Sequence, residues 1–115
     1  PDLMLRIAPA AGGQTRDSED HFVVGPAELV VEVANSSVAI DLNAKLEDYE
    51  KYGVREYVVA DAQREQVLWF VRRGDKFVPL RPDADGVLKS RVFPGLWLDP
   101  SGVFADSGRR LTATL

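Results

Sequence analysis

One glutamate interrupts an otherwise apolar run in this chain. Residues 29–33 read LVVEV and are flanked by Gly-Pro upstream and by polar residues downstream, which is the pattern of a buried strand. Glu32 is the exception, because an isolated charge removed from water is costly unless it is paired, hydrogen-bonded, protonated or bound to a metal ion. Strand alternation leaves another interpretation open, since Val31 and Val33 can face the core while Glu32 points to the opposite face.

The segments around this strand predict a mixed sheet with one main helix. The helical segment repeats apolar or aromatic side chains at the spacing of one helix face: Val38, Leu42, Leu46 and Tyr49. Four other segments have the composition of strands: residues 3–7, 56–61, 67–72 and 76–80. Short pieces near residues 87–92 and 96–98 predict a C-terminal hairpin or cover. The order of these elements places the helix as a crossover between two strands of an α/β fold.

Composition excludes several classes of protein. The chain has 115 residues, no cysteine and a formal net charge of -4. This length fits a single domain over residues 1–115, and the lack of cysteine excludes a disulfide scaffold and a thiolate zinc site. The acidic balance argues against broad affinity for nucleic acid, so any such contact is expected to be local. No apolar run approaches the roughly 20 residues that span a bilayer, and we expect a cytoplasmic protein without membrane contact.

Lys45 is the cation that helix geometry brings level with Glu32. The strand advances by about 10 Å from Glu32 to Asn35, and the helix returns by about the same distance from Val38 to Lys45. Asp41 lies one turn before Lys45, where its carboxylate can hold or orient the ammonium group. The alternative is an exposed surface ion pair worth only about 0.2–0.5 kcal/mol.

Asp2 is the second candidate carboxylate, at the start of the first predicted strand. An acidic residue beside Pro1 is often simply a turn residue. If the first strand pairs beside residues 29–33, however, Asp2 and Glu32 supply two oxygen ligands for a hard cation such as Mg²⁺. Such a cation can lower the pKa of a bound water and neutralise a phosphate oxygen, while Lys45 stabilises the charge that develops on the phosphate.

Five segments in order resemble the Uma2 family of predicted restriction endonucleases. They are Pro1-Asp2 and residues 29–33 (LVVEV), 36–49 (SSVAIDLNAKLEDY), 52–61 (YGVREYVVAD) and 92–99 (VFPGLWLD). The resemblance implies a restriction-endonuclease-like fold, which is a mixed β-sheet with one main crossover helix and an additional β-hairpin at the C-terminal side. We also expect that a helix found upstream in the family is missing from this sequence.

The resemblance further implies a PD-(D/E)XK metal site formed by Asp2, Glu32 and Lys45. In the parent motif the lysine follows the acidic residue by two positions, where this chain has Ala34, so Lys45 on the helix is the expected replacement. The implied metal ligands are Asp2 and Glu32, the implied cofactor is Mg²⁺ or Mn²⁺, and the implied substrate is nucleic acid, with DNA favoured. Four further side chains are expected to contact the substrate: Ser36, Asp41, Arg72 and Arg73.

Two alternatives remain open at this point. The basic residues around the predicted hairpin turn can contact a phosphate backbone, but basic hairpin tips also act as solubility devices and guards against edge pairing. The chain can also be a non-catalytic protein-binding or dimerisation module that retains the fold, in which Glu32 and Lys45 form a partly buried ion pair. The sheet edge near residues 87–98 is a candidate homodimer surface.

Overall fold

The computed structural model describes residues 2–34 and 38–104 of the chain. The elements, in chain order, are β1 (Leu3–Leu5), a 3₁₀ turn (Pro9–Ala11), β2 (Arg16–Asp17), β3 (Val23–Val24), β4 (Leu29–Ala34), α1 (Val38–Tyr52), β5 (Glu56–Asp61), β6 (Gln66–Arg73), β7 (Lys76–Pro79), β8 (Leu88–Lys89), β9 (Trp97–Leu98) and α2 (Pro100–Val103). The main sheet has five strands in the order β1-β4-β5-β6-β7. β4 and β5 are parallel and the other pairs are antiparallel, which confirms the predicted mixed α/β sheet.

The helix α1 connects the parallel strands β4 and β5. Parallel neighbours cannot be joined by a tight turn, so the chain needs a crossover of this kind. The helix packs on the sheet through Leu42, Leu46 and Tyr49, over a core that includes Val30. After the last helical residue, Gly53 has a φ of 100°, a left-handed conformation that favours glycine and ends the helix.

The opposite face of the sheet has its own core and cover. Buried residues on this face include Leu29, Val58 and Trp69, and Leu88 of β8 packs among them. β8 and β9 form a separate two-stranded sheet, so the predicted C-terminal hairpin is a cover over this face. Because helix and cover bury the two faces of β4 and β5, their sequences are nearly continuous apolar runs.

A small hairpin in the N-terminal third was not predicted from the sequence. Residues 10–20 have the composition of a loop, yet β2 pairs with β3. Each strand has two residues, which is too short for any periodicity to appear. Glu28 holds this region to β4, since its fully buried carboxylate accepts hydrogen bonds from the N–H groups of Ile7 at 2.7 Å and Gln14 at 3.4 Å. β1 is also shorter than predicted and ends at Leu5.

Candidate functional site

Glu32 lies at the carboxyl end of β4 and faces α1. Val30 packs in the core beneath the helix, and Glu32 follows two residues later on the same face of the strand. Glu32 is 8% exposed, whereas Val33 on the opposite face is 60% exposed. Glu32 is therefore the buried residue of the two, and its carboxylate requires partners within the protein or from a ligand.

Two side chains of α1, one turn apart, contact the Glu32 carboxylate. Lys45 Nζ donates to Oε2 at 3.2 Å, and the Tyr49 hydroxyl donates to Oε1 at 2.8 Å. The structure thus brings Lys45 to the carboxylate that strand and helix geometry indicated. The Lys45 side chain is 47% exposed and that of Glu32 is 11% exposed. The ion pair therefore spans the boundary between solvent and interior.

Tyr49 is a site residue that sequence analysis assigned only to the apolar face of α1. Its ring does pack in the core, 5.0 Å from the ring of Tyr57. Burial raises the pKa of Tyr49 above its ordinary value, and the hydrogen bond to Glu32 and the nearby charges of Glu32 and Asp2 raise it further. The hydroxyl therefore stays protonated as a donor. Its position four residues after Lys45 is the sequence signal for it, because such pairs share one helix face.

Asp2 binds the backbone on both sides of Glu32. Its N–H donates to the carbonyl of Val31 at 3.1 Å, and its Oδ2 accepts from the N–H of Val33 at 2.6 Å. β1 is the antiparallel neighbour of β4, as the metal-site interpretation required. The charge of Asp2 also acts on Tyr49. Asp2, Glu32, Lys45 and Tyr49 therefore form one group, called the Glu32 cluster below.

The two carboxylates of this cluster suit a hard divalent cation. Carboxylate oxygens are the ligands that Mg²⁺ and Mn²⁺ prefer, and the exposure of Asp2 leaves its carboxylate accessible to a hydrated ion. Within the described ranges, no group of three or more acidic, histidine or cysteine side chains is arranged to hold a metal ion. Mg²⁺ commonly uses one or two carboxylates and completes its shell with waters and phosphate oxygens. The donor set fits that pattern.

A comparison with known protein families gives a match for this chain. Residues 1–101 match the family Uma2, "Putative restriction endonuclease". This chain belongs to the Uma2 family. No curated protein matches it. At the level of the family, Uma2 membership supports a nuclease-like function and nucleic-acid binding. Among the described helices, none is long and apolar enough to cross a membrane.

Of the four residues predicted to bind substrate, only Arg72 and Arg73 have described side chains, and neither belongs to the Glu32 cluster of this Uma2 domain. Ser36 lies outside the described residues, and so does the side chain of Asp41. Arg73 lies far along the sheet: Leu68 is level with Glu32 across β5, and the five residues from there to Arg73 span about 16 Å. A substrate contact at Arg73 would thus be separate from the cluster.

Arg72 attaches the end of α1 to the sheet of the Uma2 domain. Its Nε donates to the carbonyl of Val54 at 3.1 Å, and its other nitrogens donate to the carbonyls of Glu50 and Gly74. The guanidinium carbon also lies 5.7 Å from the centre of the Phe77 ring. These contacts already use several of its donors within the protein. Substrate binding by Arg72 stays a prediction.

Proposed function

We propose that this Uma2 domain is a metal-dependent endonuclease that hydrolyses phosphodiester bonds in nucleic acid, with DNA as its substrate. The observation in its favour is the meeting of Asp2, Glu32 and Lys45 at the carboxyl end of β4. Asp2 is bonded to the backbone on either side of Glu32, and Lys45 Nζ lies 3.2 Å from Glu32 Oε2. Family membership supports the same class of reaction.

Each residue of the cluster has a distinct role in this proposal. Asp2 and Glu32 are the ligands for Mg²⁺ or Mn²⁺, which when bound supplies a water of lowered pKa and neutralises phosphate charge. Lys45 is half-exposed, so its ammonium group is accessible to a phosphate oxygen on which negative charge develops. Tyr49 is a positioning residue, because its hydroxyl orients the Glu32 carboxylate.

Calorimetric titration with Mn²⁺ tests the metal site. We expect the wild type to bind Mn²⁺ and Glu32→Ala to lose that binding. Asp2→Asn keeps an oxygen that can accept from the Val33 N–H but removes one negative charge, so it should weaken binding while preserving the fold. Glu47→Ala is the matched control, because it removes an exposed carboxylate from α1 on a side of the helix away from Lys45.

Three results would contradict the proposed metal site, and the first two concern the wild type and Glu32→Ala. One is equal Mn²⁺ binding by the wild type and Glu32→Ala, and the other is no binding by the wild type. Loss of binding in Glu47→Ala as large as in Glu32→Ala would also contradict it, since the effect would then follow net charge alone.

One observation favours a second candidate function, a non-catalytic protein-binding or dimerisation module. Lys45 and Tyr49 give both carboxylate oxygens of Glu32 a partner within the protein, and a structural ion pair of this kind needs no cation. Light scattering alongside the Mn²⁺ titration separates the two functions. A stable dimer that does not bind Mn²⁺ supports the module, and Mn²⁺ binding that depends on Glu32 supports the nuclease.

A further inference from the structure

A cavity of about 710 Å³ lies at the end of the sheet away from the Glu32 cluster. Its walls come from Arg55 and the first residue of β5, from the β6–β7 hairpin with Arg81 beyond it, and from the segment after β8. Five of the lining residues are arginines: Arg55, Arg72, Arg73, Arg81 and Arg91. Glu56 is the acidic residue in the lining. This arginine cavity therefore concentrates positive charge within a chain of net charge -4.

Most of these arginines keep donors free for a ligand. Arg73, Arg81 and Arg91 are exposed, and their guanidinium groups form no hydrogen bond or ion pair with residues 2–34 or 38–104. Arg55 uses its Nε to donate to Gln14 Oε1 at 3.1 Å, which leaves its terminal nitrogens available. Arg72 differs, since its guanidinium binds backbone carbonyls. Four of the five arginines can therefore donate hydrogen bonds to a ligand in the cavity.

Glu56 does not neutralise this charge by pairing with an arginine side chain. Its carboxylate is fully buried and accepts from the Ser90 hydroxyl and from the backbone N–H of Arg91, the latter at 2.8 Å. These bonds attach the segment after β8 to β5. Arg91 is consequently held at the cavity wall by its own backbone, while its side chain remains free. One wall of the cavity is therefore built into the packed structure.

We propose that the arginine cavity binds a ligand that carries phosphate groups. Guanidinium groups match phosphate oxygens with paired, charge-assisted hydrogen bonds, and several of them converge here. The volume falls within the range of about 300–1,000 Å³ that is typical of small-molecule sites. Apolar side chains complete the lining, namely Val71, Val78, Pro79 and Val92, and these suit a base or sugar. The phosphates belong either to a free nucleotide-like molecule or to a nucleic-acid backbone.

Two probes test this site in EDTA-containing buffer, where the Glu32 cluster holds no cation. They are pyrophosphate, followed by calorimetry, and a short labelled single-stranded DNA, followed by fluorescence anisotropy. We expect the wild type to bind at least one probe, and Arg73→Gln, Arg81→Gln and Arg91→Gln each to weaken that binding by about tenfold. Arg16→Gln is the control, because it removes an exposed arginine of β2 that does not line the cavity.

The two probes distinguish the two sources of phosphate. Pyrophosphate binding assigns a small-molecule ligand, whereas binding of DNA alone, with an affinity that falls as salt rises, assigns a nucleic-acid backbone. No binding of either probe by the wild type, or an equal loss in Arg16→Gln, overturns the inference. The Mn²⁺ titration and these probe titrations in EDTA are separate measurements on separate residues, so a failed metal site and a failed arginine cavity give different results.

Discussion

The Tyr49 hydroxyl donates to Glu32 Oε1 at 2.8 Å, one helical turn beyond the lysine that binds Oε2. Two donors from α1 thereby bind the carboxylate of a residue that is only 8% exposed. A buried acidic side chain is tolerated when it is hydrogen-bonded and paired in this way. The same contacts hold the helix to the end of β4 where Asp2 lies. The packing of α1 and the geometry of the candidate metal site therefore depend on the same hydrogen bonds.

Replacing Tyr49 with phenylalanine should destabilise the fold. The Tyr49→Phe variant keeps the ring in the core but removes a donor to a buried carboxylate, and we expect the free energy of unfolding in urea to fall by about 1.5 kcal/mol. Tyr52→Phe is the control on the same helix, because Tyr52 is 60% exposed and its change should stay within about 0.5 kcal/mol. Equal unfolding midpoints for the two variants would contradict the role assigned to Tyr49.

The raised pKa of Tyr49 predicts a loss of stability in alkaline solution. Burial is the main cause of the shift, followed by the Glu32 hydrogen bond. The tyrosine of the unfolded chain ionises near its ordinary pKa of about 10, while the folded one does not. Its contribution to stability is therefore complete below that pH and is lost as the pH rises through the folded-state pKa.

Urea unfolding at a series of alkaline pH values measures this effect. The free energy of unfolding of the wild type should fall more steeply above about pH 10 than that of Tyr49→Phe. Tyr52→Phe should follow the wild-type curve. Parallel curves for the wild type and Tyr49→Phe would contradict this prediction, because they would show that Tyr49 has the same pKa in the folded and the unfolded chain.

If the domain is a metal-dependent nuclease, Lys45→Gln should impair cleavage far more than stability. Loss of one group that stabilises transition-state charge commonly costs about 10²- to 10³-fold in rate. Because the Lys45 side chain is 47% exposed, the stability change should be no more than about 1 kcal/mol. Cleavage of a labelled DNA duplex in Mn²⁺ measures the rate. Lys51→Gln, an exposed charge in the last turn of α1, is the control, and equal rates for both variants would exclude a role for Lys45.

The meeting of Lys45 and Glu32 could be predicted because it depends on local geometry. The rise per residue is nearly constant in strands and in helices, and a crossover between parallel strands makes the helix run back along the sheet. Glu32 itself stood out because an acidic residue broke an apolar run. Neither inference required knowledge of contacts between residues far apart in the sequence.

Other features could not be read from such patterns. Tyr49 fits the apolar periodicity of α1, and its position one turn after Lys45 does not distinguish core packing of its ring from a contact of its hydroxyl with Glu32. The arginine cavity unites residues from three parts of the sequence, and only the packing of the segment after β8 brings Arg91 to the β6–β7 hairpin. The hairpin of β2 and β3 is too short to have a period.

Arg72 and Arg73 are neighbours in β6, and replacing each with lysine should change the stability of the fold by different amounts. Arg72→Lys retains the charge but loses the fork that reaches several carbonyls, so the free energy of unfolding should fall by about 2 kcal/mol. Arg73→Lys, at an exposed position, should change it by less than about 0.5 kcal/mol. Urea unfolding of the two variants compares them directly, and equal values would refute the structural role of Arg72.

The buried carboxylate of Glu56 has a consequence for how the domain responds to occupancy of the arginine cavity. Its carboxylate accepts hydrogen bonds from the backbone N–H of Arg91 and the hydroxyl of Ser90. The segment that contains these two residues continues into the cover over the core around Trp69. Detachment of the cover would therefore dismantle a wall of the cavity. By thermodynamic linkage, a ligand that needs this wall must stabilise the attached cover, and a ligand of higher affinity must stabilise it more. The side chain of Glu56 therefore couples ligand binding to attachment of the cover.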